Sequence, residues 1–280
     1  MILREPILPG GWYPRDKRLV SEFLDPFREK PASPAAPAVV APHAGWFYSG
    51  FTAATAISAL QGDAETVAVI GGHLPRGMPV LIAPEDGVKT PLGVMQIDGE
   101  FREKLEKKLE FRPDRYDDNT VEILLPMVHY FFPSSALLWL RFPAEISSFE
   151  AGKLLAETAG DLGRKIAVVA STDLTHYGDN YGYCPKGRGK AALEWVKKVN
   201  DAAFINAVLD GDPSRALKCA EEDYSACSAG AVLGALGFAS ASSPGKISKL
   251  LDYRTSADAG RSNDTPDSFV GYAAISLGLG

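Results

Sequence analysis

Three apolar, largely β-branched runs stand out in the hydrophobic pattern of the 280-residue chain, and each leads into a polar segment that contains a histidine. Residues 39–41 lead to His43, residues 67–70 to His73, and residues 166–170 to His176. Continuous apolar runs of this length are typical of strands buried on both faces of a parallel sheet. Since ligands of open α/β sheets bind beyond the carboxyl ends of the strands, we expect these three histidines at one edge.

Segments with helical patterns alternate with these strands. The predicted helices cover residues 15–30, 51–60, 100–110, 121–132, 148–164 and 190–209, with Ser49 as the N-cap of the second. Further short apolar runs predict strands at residues 79–83, 136–140, 250–253 and 269–275. This βαβ alternation predicts an α/β fold: a single domain over residues 1–280, with a mostly parallel central sheet and helices on both faces.

Charge and composition exclude several classes of protein. The net charge is −6, and Lys and Arg are interspersed with acidic residues, so we expect no nucleic-acid-binding surface. The uncharged stretch between Asp223 and Lys246 is rich in serine and glycine, which favours a buried helix over a membrane span. The first residues do not resemble a signal peptide, and Cys184, Cys219 and Cys227 have no regular spacing. We therefore expect a cytoplasmic protein with reduced thiols.

His43 and His73 follow consecutive strands of the predicted sheet, so their side chains are expected to lie close together. Cys227 precedes the small-residue helix, where a helix N-terminus lowers the pKa of a thiol. Two imidazoles and a thiolate are sufficient to hold a first-row transition metal with open positions. The alternative for each histidine is a hydrogen-bonded structural role, and for Cys227 it is that of a small buried hydrophobic residue.

Four segments of the chain carry a family resemblance. They are residues 4–14, residues 41–50 (Ala-Pro-His-Ala-Gly-Trp-Phe-Tyr-Ser-Gly), residues 171–178 (Ser-Thr-Asp-Leu-Thr-His-Tyr-Gly) and residues 270–274. Together they resemble the Memo-like family, also called AmmeMemoRadiSam system protein B, over almost the whole chain. The resemblance implies a fold similar to that of the class III, LigB-type extradiol dioxygenases, which are non-haem iron enzymes with two histidine ligands and one glutamate.

Carried onto this sequence, the resemblance implies a set of site residues in which cysteine replaces the carboxylate ligand. The metal ligands would be His43, His73 and Cys227, and His176 would be the acid and base. We also expect Asp173 as a catalytic residue, and Trp46, Tyr48, Asn119 and Tyr177 in the substrate pocket. The sequence also departs from the family pattern. Asn119 stands where many relatives have a histidine, and Gly71 and Gly72 precede His73 where relatives often have Pro and Asn or Ser.

The resulting functional hypothesis is a metal-dependent, dioxygenase-like oxidoreductase that acts on a small molecule. Iron(II) is the first candidate cofactor, and copper or zinc are the others, since a thiolate makes the metal softer than a carboxylate does. One alternative is a non-catalytic module that binds a peptide or partner protein between aromatic side chains, although the same tyrosines also fit simple loop packing. Another is a zinc-dependent hydrolase with the same ligands. The resemblance further implies a partner in a radical-SAM modification pathway.

Overall fold

The computed structural model describes residues 1–29, 35–243, 245, 247–259 and 266–279. The end of the predicted helix at residues 15–30 therefore lies outside the described residues. The strands are β1 (Leu3–Arg4), β2 (Ala38–Ala41), β3 (Thr66–Leu74), β4 (Val80–Ile82), β5 (Gly87–Thr90), β6 (Gly93–Gln96), β7 (Phe111–Pro113), β8 (Ala136–Pro143), β9 (Ile166–Ser171), β10 (His176–Tyr177), β11 (Ile247–Thr255) and β12 (Phe269–Leu279).

The helices connect these strands and cover the sheet. They are α1 (Lys17–Glu29), α2 (Trp46–Ile57), α3 (Gly99–Glu106), α4 (Asn119–Glu122), α5 (Leu125–Phe131), α6 (Ser147–Leu162), α7 (Lys190–Trp195), α8 (Asp201–Leu209), α9 (Pro213–Asp223) and α10 (Ala229–Ser242). Short 3-10 turns lie at Asp179–Tyr181 and Ser256–Asp258, and a π-helical turn at Val196–Asn200 joins α7 to α8. No helix in the described part of the chain is long and apolar enough to cross a membrane.

The main sheet confirms the predicted α/β class. In the part of the chain that is described, nine strands form it, and β2, β9, β3 and β8 are parallel neighbours at its centre. Antiparallel pairs follow on both sides: β12 pairs with β2, β10 and β11 pair with β12, and β4 pairs with β8, whereas the edge strand β7 is parallel to β4. The sheet is therefore mixed, with a parallel centre.

Alternating side chains of the central strands are buried on opposite faces of the sheet. Val40 and Ile70 belong to a hydrophobic cluster with α3, α6, α8 and α10, whereas Val39 and Val69 belong to a cluster with α1, α2 and α5. Helices thus cover both faces, as the continuous apolar runs predict.

Two predicted helices differ from those in the structure. α2 begins at Trp46 instead of after an N-cap at Ser49, because the backbone N–H of Trp46 donates to the carbonyl of Trp12 (2.8 Å) and the chain turns at once into the helix. Ser49 is buried inside the helix, and its hydroxyl donates to the carbonyl of Ala44 (2.9 Å). The predicted helix at residues 121–132 is divided between α4 and α5, since Pro126 has no N–H to continue the hydrogen-bond ladder.

Candidate metal centre

The parallel register of β2 and β9 brings the first histidine beside an aspartate. Ala41 lies opposite Ser171, so His43 and Asp173, two residues beyond them, are neighbours at the same edge. The backbone N–H of His43 donates to Oδ1 of Asp173 (2.7 Å), and Nδ1 of its ring lies 2.9 Å from Oγ of Ser171. Because Nδ1 is engaged, the buried imidazole presents Nε2 to the interior of the site.

His73 occupies the carboxyl end of β3 with an unusual backbone. Its φ is 56°, a left-handed value that is uncommon for residues other than glycine. Nδ1 of the ring lies 3.0 Å from Oδ2 of Asp118, and the same oxygen lies 3.2 Å from Nη2 of the buried Arg141. A carboxylate therefore orients this imidazole too, as is usual for metal-binding histidines.

The glycines before His73 let two other segments approach closely. A Cβ atom on Gly72 would lie 2.3 Å from Cβ of Ser228, and one on Gly71 would lie 2.2 Å from the hydroxyl of Thr120. Because Gly72 has no side chain, the start of α10, which follows Cys227, can pack against it. The segment that carries Asp118 packs against Gly71 in the same way. This close packing accounts for the glycine pair that departs from the family pattern.

Cys227 completes the cluster. Its Sγ lies 3.2 Å from Nε2 of His43, and the ligand atoms of His43, His73 and Cys227 all lie within 4.8 Å of one another. The backbone N–H of Cys227 donates to the carbonyl of Asp173 (3.2 Å), which ties this segment to the end of β9. In a tetrahedral site with ordinary metal–nitrogen and metal–sulfur bonds, neighbouring ligand atoms are about 3.5 Å apart. The spacing therefore suits a single metal ion.

The protonation equilibria of the cluster favour the thiolate form. Burial alone would raise the pKa of the Cys227 thiol, but the facing imidazoles of His43 and His73 lower it well below its ordinary value. For His73, burial alone would have the opposite effect and lower the pKa of the imidazole. The hydrogen bond to Asp118 and the nearby thiolate instead raise this pKa to about 10. Thiolates are the form of cysteine that binds metals, whereas the imidazoles must release a proton before they bind a metal, so metal binding here would be accompanied by proton release.

A cavity of about 690 Å³ opens above the cluster. Its lining includes His43 and His73 at the floor, the predicted catalytic residues Asp173 and His176, and the predicted pocket residues Tyr48 and Asn119. The Asn119 amide donates to the carbonyl of His43 (3.0 Å). The structure thus brings seven of the predicted site residues, with Cys227 at the centre, to one place.

The position of His176 fixes its tautomer. Nδ1 lies 3.1 Å from the carbonyl oxygen of Leu174, which can only accept, so Nδ1 carries the proton. Nε2 is then the nitrogen that can take up a proton. The neighbouring Asp173 is buried; burial raises the pKa of its carboxyl group, and His43 partly offsets that effect.

Two residues that were predicted to line the pocket lie elsewhere. Trp46 is buried in α2, where its indole N–H donates to the carbonyl of Ile123 (3.0 Å), because the helix begins earlier than predicted. Tyr177 is fully buried and stacks on Phe269, with ring centroids 5.0 Å apart, because β10 directs it away from the cavity. Neither side chain touches the cavity.

Other cavity residues escaped prediction. They are Trp12, Tyr181 and Tyr272, which come from distant parts of the chain. Asp118 and Arg141, which orient His73, were also missed; the aspartate before Asn119 was the available signal. The fourth histidine, His129, lies outside the cavity, with Nδ1 2.7 Å from the hydroxyl of Thr90.

Comparison with known proteins gives a consistent result along the whole chain. The profile of a family described as Memo-like protein matches residues 4–276. A MEMO1 family protein of Pyrococcus abyssi is 32% identical, with 98% of this chain and 99% of the relative covered, and one of Archaeoglobus fulgidus is 28% identical with 98% of each covered. A crystal structure of an uncharacterized Escherichia coli K12 protein is 13% identical with a TM-score of 0.43, covering 87% of this chain and 99% of that one.

Proposed function

The chain belongs to the Memo-like protein family, and from that premise and the geometry of the cluster we propose that it is a mononuclear metal-dependent oxidoreductase. The observation that carries the proposal is the convergence of three ligand atoms within 4.8 Å at the floor of a cavity. The proposed ligands are His43, His73 and Cys227. The proposed substrate is a small oxygen-bearing molecule in the cavity.

The donor set fits a transition metal. Both histidine rings have Nδ1 engaged, with Ser171 and Asp118, so the other ring nitrogen of each is the one that can bind a metal once it is deprotonated. Two imidazoles and a thiolate suit iron(II), copper and zinc, and they leave positions open toward the cavity. Iron(II) is the metal we propose, with copper and zinc as the other ions compatible with these ligands.

A bound redox-active metal would supply the electron-transfer and oxygen chemistry of the reaction. The side chains of the protein would transfer protons and hold the metal ligands in position. His176 takes a proton at Nε2, since Nδ1 is held by the carbonyl of Leu174. Asp173 holds the backbone of His43 in place, and the Asn119 amide donates to the carbonyl of His43, so Asn119 has an anchoring role.

Oxygen consumption by the metal-loaded protein tests this proposal. We expect a substrate among small phenols and catechols whose addition raises oxygen uptake, and we expect His176→Gln to slow that uptake by about 100-fold or more while leaving the metal content unchanged. His129→Gln is the matched control, because His129 is also partly buried but lies outside the cavity. Equal rates in the wild type and His176→Gln would contradict the proposed proton transfer.

The exposed aromatic side chains at the cavity mouth support one alternative, a module that binds a peptide. Phe47, Tyr48 and Tyr181 are 72%, 50% and 47% exposed, respectively. Peptide binding would survive removal of the metal by a chelator, whereas the oxidoreductase activity would not. A zinc-dependent hydrolase would use the same ligands, and it would be recognised by ester or amide cleavage that does not depend on oxygen.

A further inference from the structure

We infer that the cavity selects aromatic ligands whose end remote from the metal centre is positively charged or neutral, and that it disfavours the same ligands with a carboxylate there. The inference rests on the proposed function only in placing the oxygen-bearing end of the ligand at His43 and His73. It deepens that function by assigning the charge of the substrate.

Aromatic side chains make up a large share of the cavity lining. Trp12, Phe47, Tyr48, Tyr181 and Tyr272 all line it. The rings of Phe47 and Tyr48 meet edge to face at 5.0 Å, and those of Tyr181 and His176 do so at the same centroid distance. Such rings offer flat apolar faces to an aromatic ligand, and their negative π faces attract cations.

The lining residues that the structure describes offer no positive side chain to a remote anion, since none of them is Lys or Arg. A carboxylate in this part of the cavity would lose its water without gaining an ionic partner.

Two cations in the described part of the chain have ion-pair partners that are adjacent in sequence to lining residues. Arg188 forms an ion pair with Asp179, which precedes the lining residue Asn180. Lys197 forms an ion pair with Asp258, which follows the lining residue Ala257, at 3.1 Å. Carboxylates thus partly neutralise both cations, and the aromatic faces of the described lining determine the preference.

Three ligands of matched shape test the inference. Tyramine, 4-ethylphenol and 4-hydroxyphenylacetate share a phenol and differ in the charge of a short side chain. Their binding to the zinc-loaded protein, which avoids turnover, is measured by calorimetry or ligand-observed NMR at one ionic strength. We expect tyramine and 4-ethylphenol to bind and 4-hydroxyphenylacetate to bind about tenfold more weakly than tyramine.

A variant separates the cation preference from simple apolar contact. Tyr181→Leu is expected to weaken tyramine more than 4-ethylphenol, because only the cation loses the attraction of the ring. Tyr116→Leu is the matched control, since Tyr116 is 54% exposed and lies outside the cavity. Equal or tighter binding of 4-hydroxyphenylacetate, or no binding of any of the three, would overturn the inference.

The same titrations in His43→Ala separate this inference from the proposed function. Loss of the metal in His43→Ala is expected from the proposed function, and persistence of the ligand order there shows that the charge preference does not depend on the metal. If the wild type itself binds no metal but shows the same order of the three ligands, the charge preference stands and the oxidoreductase proposal fails. If the wild type binds metal but shows no order among the ligands, the charge preference alone is refuted.

Discussion

Replacing Asp118 by asparagine is expected to weaken metal binding through His73 while the protein remains folded. Oδ2 of Asp118 lies 3.0 Å from Nδ1 of His73 and 3.2 Å from Nη2 of Arg141. Asparagine has the same shape as aspartate but lacks the negative charge, and it is this charge that orients the His73 ring and makes the ring more basic. Loss of such a partner typically costs 10–100-fold in metal affinity, or about 1.4–2.7 kcal/mol.

The cost to folding is expected to be limited, because Arg141 keeps other partners. Its Nη1 lies 3.4 Å from Oδ1 of Asp114, and its Nε donates to the carbonyl of Gly72 (3.0 Å). A buried arginine left without any partner would cost about 3–5 kcal/mol, so we expect less, about 1–3 kcal/mol, for Asp118→Asn.

Asp118 also has a pH signature in the metal-free protein. Burial would raise its pKa, but the hydrogen bond from His73 and the charge of Arg141 lower it from 3.8 to about 2. The ionised group therefore stabilises the fold fully above its ordinary pKa, and this contribution is lost as the pH falls through about 2. The wild type and the variant should thus differ most in stability near neutral pH and converge in strong acid.

Competition with a chromogenic chelator for zinc at pH 7 measures the predicted affinity change, and denaturant unfolding measures the stability. Asp117→Asn is the matched control, because Asp117 is the adjacent acid and is exposed. We expect the control to keep wild-type affinity. Equal zinc affinity for the two variants would refute the role assigned to Asp118.

Three further predictions concern stability. Burial raises the pKa of the Asp201 carboxyl from 3.8 to about 6, so ionising this group lowers the free energy of unfolding as the pH rises from 4 to 6. Asp201→Asn avoids this loss. Between pH 4 and pH 7 its free energy of unfolding, measured with urea, should therefore rise by about 3 kcal/mol relative to that of the wild type. Gly230→Ala should destabilise by about 3 kcal/mol or more, because its Cβ would lie 2.1 Å from the carbonyl oxygen of Pro143. Gly160→Ala, a helical site with nothing within 4 Å, should instead stabilise by about 0.5–1 kcal/mol by thermal melting.

The parts of the fold that follow from local pattern could be predicted. Continuous apolar runs identified β2, β3 and β9, and the rule that parallel strands end at one edge brought His43, His73 and His176 to a single cavity. Cys227 needed the family resemblance as well, since nothing in its local sequence distinguishes a ligand from a buried thiol.

The parts that depend on distant contacts could not be predicted. The start of α2 is determined by the carbonyl of Trp12, and an earlier start directs Trp46 into the core. The pairing of Asp118 with Arg141 joins the segment before α4 to β8, which local periodicity does not reveal. Helix and strand patterns report which face is apolar, but not which polar side chains meet across the fold.

The most direct test of the metal centre is metal analysis by plasma mass spectrometry on protein purified anaerobically without a histidine tag. The account predicts about one metal ion per chain in the wild type and its loss in His43→Ala and Cys227→Ala. Cys184→Ala, which changes an exposed cysteine, should keep the metal. A wild-type protein without metal even after reconstitution, or metal retained in both ligand variants, would contradict the account.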